Sequence, residues 1–511
     1  MKKLRFIPAV MFLLFCVVSC QAYSENIAVP EEYPETLTVW VVADAVTEFY
    51  TSEDREEIYY TTMMALGDFS DMTTVYGAEG FLFYDAFEEF QKKTGIQLDI
   101  HWYPYPERME EELEQAEPSQ QPDLILSNFT TYADYYLYME QEIFYDLTDL
   151  FGQNEMYSGG KYYNQVLEAG RQNDKQYLAP IMFNVDTVMG AREIWNELGL
   201  YLDNAQNHRE MLDMLAAAQE KHSIEQVVCQ FDAVAGSYLP YIIYSSSGET
   251  WIDYDNWAVN LDKAEFQKMC VFYEQYLKEQ FDAEELQPGE KLPWAYAKHM
   301  DIWRQILNDV QLDEFLDGMG CIVEGGAAYQ TYLHSAAAQA WYYESRYRDQ
   351  GKEFVLSALP GIKGGSTAHV SYFGAVMQSS QYPQAAFELL KLLMDTEAAP
   401  FFGLSVNREN AANQLDYFAA NAYHVRPGLK IPLEDGTLPD SSADYVIQPM
   451  SQKTRDGLMN IIDRMETVSL PNWPVYRILE EQMIRYARGE AGLEEAYQLA
   501  VSGLKAYIGR K

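Results

Sequence analysis

Residues 83–98 read FYDAFEEFQKKTGIQL, and this stretch decides the fold class. Phe83, Phe87 and Phe90 recur at the spacing of one helix face, and Gly95 stands where a helix ends in the left-handed conformation. The hydrophobic residues that follow alternate with polar ones, which predicts a strand. They are Ile96, Leu98, Ile100 and Trp102. The stretch therefore predicts a helix followed by a strand.

Strands and helices also alternate on both sides of this unit. Residues 37–42 (LTVWVV) form a short apolar run that predicts a buried first strand. Residues 107–117 are rich in Glu and predict a second helix, and residues 122–126 (PDLIL) predict a third strand. An alternation of strand and helix is typical of an open, mostly parallel sheet, so we expect an α/β fold.

Length and charge limit the functions that the chain can have. Its 511 residues correspond to two or three domains or one large α/β body. The 78 Asp and Glu against 36 Lys and Arg give a net charge of −42, which repels phosphate backbones and excludes nucleic acid as an expected partner. The 40 Tyr, 9 Trp and 24 Phe suffice for a core and also for the aromatic walls of a sugar- or peptide-binding cleft.

The N-terminus has the pattern of an export signal. A basic segment at residues 2–5 precedes an apolar segment at residues 6–18 that is too short to span a membrane comfortably. Residues 17–20 (VVSC) resemble the bacterial lipobox, in which a Cys is diacylated and becomes the mature N-terminus. An ordinary signal peptide with an incidental Cys is the alternative interpretation.

We therefore expect residues 1–19 to be a lipoprotein signal peptide and Cys20 to carry the lipid. Residues 20–35 would then be a lipid-anchored tether, because they are polar and lack apolar periodicity. This predicts a body held at the extracytoplasmic face of a bacterial membrane by acyl chains only.

The number of remaining cysteines and the absence of known catalytic motifs predict a protein without metal or cofactor. Cys229, Cys270 and Cys321 permit at most one disulfide, and three separate buried thiols are the favoured interpretation. No CxxC, HExxH, GxSxG or Walker A motif occurs in the sequence. We expect no metal, no cofactor and no enzymatic activity.

Five segments, in their order along the chain, resemble the extracellular solute-binding proteins of ABC importers. They are residues 87–98, 122–126, 177–184, 387–397 and 402–408. The similarity is to the carbohydrate-type group, family 1, which includes the maltodextrin-binding proteins, and it covers nearly all of the mature chain.

The resemblance implies a two-lobed periplasmic-binding-protein-like fold (class II). Each lobe would be an open, mostly parallel sheet flanked by helices, with the ligand cleft between the lobes. By this likeness residues 36–179 and 357–404 form lobe one, and residues 180–356 and 405–511 form lobe two. The implied function is that of a monomer that captures a carbohydrate, an oligosaccharide, by hinge closure and delivers it to an ABC permease.

The resemblance also implies binding residues at the ends of strands. Asp44 follows the first strand, where relatives carry a sugar-contacting Asp, and Asn184 falls where they use a Glu. Ser127 and Asn128 follow the third strand, where maltodextrin binders have a Trp and then an Asp–Arg pair, which argues against a maltodextrin ligand. A turn or capping role for Asp44 and a backbone-bonded amide at Asn184 are the structural alternatives.

Three more candidates lie further along the chain. Glu324 precedes a Gly-Gly pair that resembles the turn over the cleft in the family. Trp473 and Tyr476 introduce a long helix that in relatives supplies an aromatic ring for stacking on sugar, and Tyr476 aligns nearest to that ring. Packing of Tyr476 in the core of lobe two is the alternative.

Two questions stay open at this point. Residues 45–82 separate the first strand from its helix, where βα loops usually need about 2–6 residues. They would form either a lid over the cleft or a surface embellishment. A secreted glycoside-active enzyme and a sugar-sensing or adhesion receptor are the competing functions, since a fold does not fix a function.

Overall fold

The computed structural model describes residues 34–42, 83–103, 106–128, 134–201, 204–219, 251–280, 322–324, 336–361, 364–396, 403–425 and 445–510. Several sequence predictions fall outside these residues: Cys20 with its signal peptide and most of the tether, Asp44, the 45–82 segment, Cys229 and Cys321. Within the described ranges, no helix is both long and apolar enough to cross a membrane.

The described part of the chain is a mixed α/β protein. Its strands are β1 (Thr36–Val42), β2 (Gln97–Tyr103), β3 (Leu124–Asn128), β4 (Arg171–Gln172), β5 (Lys175–Gln176), β6 (Ala179–Val185), β7 (Thr187–Ala191), β8 (Ile252–Asp253), β9 (Ala258–Val259), β10 (Ile322–Glu324), β11 (Phe354–Ala358), β12 (Ser366–Val376), β13 (Leu404–Ser405), β14 (Tyr423–Val425), β15 (Tyr445–Ile447) and β16 (Met465–Ser469). Its helices are α1 (Tyr84–Thr94), α2 (Pro106–Gln115), α3 (Tyr135–Glu140), α4 (Thr148–Gln153), α5 (Asn164–Glu168), α6 (Arg192–Leu198), α7 (His208–Gln219), α8 (Lys263–Gln280), α9 (Ala336–Asp349), α10 (Pro383–Asp395), α11 (Arg408–Ala420), α12 (Gln452–Asp463), α13 (Trp473–Ala487) and α14 (Leu493–Ile508).

The helix and strand predicted from residues 83–98 are confirmed as α1 and β2. Gly95 ends α1 with φ at 77°, and its N–H donates to the carbonyl of Gln91. This left-handed conformation favours glycine, because residues with a Cβ rarely adopt a positive φ. Phe83, Phe87 and Phe90 are all buried, so the predicted helix face is the one that packs on the sheet.

The first sheet has seven strands, in the order β13-β6-β12-β3-β1-β2 with β16 beside β12. β1 is parallel to β2 and to β3, whereas β12 is antiparallel to both β3 and β6. β6 therefore runs in the same direction as β3. The carboxyl ends of β1, β3 and β6 lie at the same edge of the sheet as the amino end of β12.

The second sheet has the order β10-β7-β11, and the chain passes between the two sheets at this same edge. Asp186 is the single residue between β6 and β7. The return passage lies between Ala358 and Ser366, and β16 then leads out of the first sheet to α13. The predicted lobe boundary at residues 179–180 falls at the start of β6, whereas the change of sheet falls at Asp186. The lobe ranges themselves stay a prediction.

Two hydrophobic cores accompany this arrangement. The larger one, the first core, includes Val39, Leu126 and Phe183 of the first sheet. The second core includes side chains of α6, α7, α8, α13 and α14, and it contains Cys270. Cys270 is a free buried thiol, and burial raises its pKa to about 12, so it stays protonated at neutral pH.

Candidate functional site

The place where the chain passes between the sheets gathers several predicted site residues. We call it the sheet junction and define it as residues 184–187, 366–369 and 469–473. These three segments are neighbours because β12 pairs with β6 on one side and with β16 on the other. In open α/β sheets ligands bind at the carboxyl ends of the strands, which is where this junction lies.

Asn184 lies in β6 directly opposite His369 of β12. Residues that face each other across an antiparallel pair place their side chains on the same face of the sheet. Asp186 follows Asn184 by two positions along the chain, so the alternation of a strand points it to that face as well. Asn184 is only 1% exposed. Three polar side chains therefore share one face of the junction.

The Asp186 carboxylate is the centre of a buried network. Thr367 Oγ1 donates to Asp186 Oδ2 at 2.9 Å, and His369 Nδ1 lies 2.9 Å from Asp186 Oδ1. A carboxylate can only accept, so His369 Nδ1 carries the hydrogen of this bond. The backbone adds a bond from Asp186 N–H to the Thr367 carbonyl at 2.9 Å. A carboxylate with 2% exposure is stable there because its oxygens are bonded.

Ser127 is buried at the end of β3, with its hydroxyl 2.6 Å from the Tyr135 hydroxyl. The ring of Tyr135 packs edge-on against Phe373 at 4.6 Å, which holds this pair in the first core. Asn128 pairs with Tyr372 through the backbone. The structure thus places Ser127 in a packed environment, and the ligand-binding role of both residues stays a prediction.

Glu324 is brought next to the junction by the second sheet. It ends β10 opposite Thr187, the residue that follows Asp186. The backbone of Glu324 therefore lies beside the sheet junction, although Glu324 is far from it in sequence. A ligand-binding role for Glu324 stays a prediction.

The start of α13 also lies at the junction. β16 ends at Ser469, opposite His369, and Trp473 begins the helix four positions later. Asn472 caps the helix by accepting a hydrogen bond from Val475 N–H at 3.0 Å. Tyr476, one turn further, is 2% exposed and its ring stacks on Trp251 at 6.3 Å. In this structure Tyr476 is a residue of the second core, the alternative that the sequence left open.

A second polar cluster joins α3 to the C-terminal helix. Tyr507 donates to Asp134 Oδ1 at 2.7 Å, and the rings of Tyr136 and Tyr254 stack at 3.7 Å. Burial raises the pKa of the Asp134 carboxyl above its ordinary value. This cluster connects α3, which follows β3, with α14, which follows α13.

Sequence reasoning missed Asp186, Thr367 and His369. Asp186 and His369 are 183 positions apart, and only the register of β6 and β12 brings them together. The available signal was a charged residue directly after the mostly apolar strand β6, two positions after Asn184. Among the residues that the structure describes, no group of three or more His, Cys, Asp or Glu side chains is placed to hold a metal ion.

Solved structures of other proteins share this architecture. The sugar-binding protein MalE from Xanthomonas citri is 12% identical, with 93% of this chain and 98% of that chain covered and a TM-score of 0.55. A sugar transporter protein from Rhizobium etli in an open conformation is 12% identical, with 92% and 99% covered and a TM-score of 0.51. The fold is that of a two-lobed periplasmic-binding protein. The predicted two-lobed α/β fold class is thereby confirmed. The expectation of a mostly parallel sheet in each lobe is wrong for the second sheet, since β7 is antiparallel to both of its described neighbours, β10 and β11.

At this identity the likeness to solved structures concerns the fold alone. No family model matches the chain, and no curated protein matches it.

Proposed function

We propose that this protein is the substrate-binding component of an ABC importer and that it captures a carbohydrate, an oligosaccharide, between its lobes. The observation that supports this function is the shared two-lobed fold with sugar-binding proteins over more than nine-tenths of the chain. The protein would deliver the sugar to the permease subunits as a monomer and without changing it chemically.

The mechanism follows from the position of the junction. A ligand that contacts both lobes binds the closed arrangement more tightly, and this difference in affinity shifts the equilibrium towards closure. The side chains proposed to contact the sugar are Asp44, Ser127, Asn128, Asn184, Glu324 and Trp473. The family likeness implies the same role for Tyr476, although its ring packs in the second core here. Carboxylate and amide groups suit hydroxyls, and aromatic rings suit the C–H faces of a sugar.

The proposal predicts that neutral oligosaccharides stabilise the purified mature chain. A sugar present at 100 times its Kd should add about 2.7 kcal/mol to the free energy of unfolding, because it binds only the folded state. A thermal-shift screen over maltotriose, cellobiose, mannobiose, tagatose and a set of short peptides measures this. Stabilisation by peptides alone would contradict a carbohydrate ligand, and cleavage products after overnight incubation would instead support the glycoside-active enzyme.

The location proposed for the protein is the extracytoplasmic face of the membrane, where Cys20 carries the anchor. Cys20→Ala should abolish incorporation of a fatty-acid analogue during metabolic labelling and release the protein from the membrane fraction, because no acyl acceptor remains. Cys16→Ala is the matched control and should leave labelling unchanged, since Cys16 follows the large Phe15. Labelling that persists in the Cys20 variant would disprove the anchor.

A further inference from the structure

The His369 ring uses one of its two nitrogens in the network at the sheet junction. Its Nδ1 is held by Asp186, and the ring makes no second hydrogen bond to the residues that the structure describes. The side chain is nearly enclosed, with 8% of the residue exposed. A nearly enclosed imidazole with one nitrogen left unbonded is a group placed to meet a ligand.

The bond to Asp186 fixes the tautomer of the neutral His369 ring. Because Nδ1 donates to the Asp186 carboxylate, the neutral ring carries its lone pair on Nε2. Thr367 Oγ1 lies 2.9 Å from the other carboxylate oxygen, so Asp186 cannot turn away without losing a second bond. The neutral imidazole is therefore held as a hydrogen-bond acceptor at Nε2.

The neighbours of His369 across the sheet are also polar. Asn184 lies opposite on β6 and Ser469 lies opposite on β16. The Ser469 hydroxyl is enclosed and has no hydrogen-bond partner within the described ranges. A row of amide, imidazole and hydroxyl groups thus crosses the sheet at the point where the chain passes to the second sheet.

We propose that His369 is a ligand-binding residue that accepts a hydrogen bond from a sugar hydroxyl, and that Asp186 is the positioning residue that orients its ring. The inference rests on the proposed function and adds to it the chemistry of one further contact. The substrate class is a neutral polyol, since an acceptor nitrogen backed by a carboxylate suits a hydroxyl donor and disfavours an anionic group.

Calorimetry with the sugar that binds the wild type most tightly among maltotriose, cellobiose, mannobiose and tagatose tests the ligand contact. His369→Ala should raise its Kd at least tenfold, and His369→Gln, whose amide oxygen can accept in place of Nε2, should raise it less. His101→Ala is the matched control, because His101 is an exposed histidine of β2, and its Kd should stay within twofold of the wild type. A wild-type Kd in both His369 variants would overturn the inference.

The positioning role of Asp186 has a readout of its own, which is rescue by asparagine. Asp186→Ala should weaken binding of the same sugar at least tenfold. Asp186→Asn should restore most of the affinity, because its Oδ1 still accepts from His369 and its amide can donate to Thr367 Oγ1. Thr367 can then donate to the Leu359 carbonyl, which lies 3.1 Å away. Equal losses in Asp186→Ala and Asp186→Asn would overturn the positioning role.

A probe that needs no sugar separates this inference from the proposed function. Diethyl pyrocarbonate modifies accessible neutral imidazole nitrogens, and the modified histidines are identified by mass spectrometry of the full mature chain. His369 should react more slowly than His101 and faster than His208, which is 2% exposed. If a sugar binds but His369 is as inert as His208, the function stands and the inference fails. If no sugar binds the wild type, the proposed function fails and the inference falls with it.

Discussion

Tyr476→Ala should lower the free energy of unfolding by about 3–5 kcal/mol, the range found when a buried aromatic side chain is truncated. The ring is 2% exposed and stacks on Trp251. Leu479 and Met483 lie on the same side of α13 and are fully buried in the same core. Truncation would leave a cavity that these neighbours cannot fill without moving. Urea unfolding followed by tryptophan fluorescence measures the loss.

Tyr201→Ala is the matched control for this prediction. Tyr201 is 49% exposed, so the same truncation should change the free energy of unfolding by no more than about 0.5 kcal/mol. The opposite result at Tyr476 would be informative: wild-type stability together with a tenfold weaker sugar affinity would show that its ring leaves the core and stacks on the ligand, as the family resemblance implies.

The case of Tyr476 shows why an aligned position does not settle a role. An aromatic residue near the start of a helix can point to a cleft or to a core, and the family resemblance alone does not distinguish the two. The spacing of Tyr476, Leu479 and Met483 is the spacing of one helix face. That periodicity was the signal for packing, and it is local to the sequence.

The early strands and helices could be predicted because their signals are local. The spacing of Phe83, Phe87 and Phe90 and the glycine at position 95 lie within one helix length, so no distant contact is needed to interpret them. The predicted α/β class follows from such units, and the described α1, β2 and first sheet agree with it.

The network at the sheet junction could not be predicted, because it depends on strand register. One residue of slip between β6 and β12 would turn His369 away from Asp186, since neighbouring residues of a strand point to opposite faces. Composition and spacing contain no information on that register. Ser127 illustrates the same limit: a polar residue at a strand end suggests exposure, yet its partner Tyr135 encloses it.

Close backbone contacts that only a glycine permits cannot be predicted from the sequence either, and Gly170 is the clearest example. The N–H groups of Tyr177 and Leu178 both donate to the Gly170 carbonyl at 3.1 Å. These bonds bring the chain back on itself just before β6, the strand that carries Asn184. A Cβ at position 170 would lie 2.2 Å from the Leu178 carbonyl oxygen, which is backbone and cannot turn aside.

Gly170→Ala should therefore destabilise the fold by about 3 kcal/mol, the upper end of the usual range for overpacking, because only a backbone shift relieves the contact. Gly152→Ala is the control, since a Cβ there meets nothing within 4 Å and alanine favours the helical conformation of α4. It should leave stability unchanged or raise it by up to about 1 kcal/mol. Equal unfolding midpoints for the two variants would show that the segment before β6 adjusts to the added methyl group. The close packing at Gly170 would then not be what fixes the start of β6, the strand that carries Asn184.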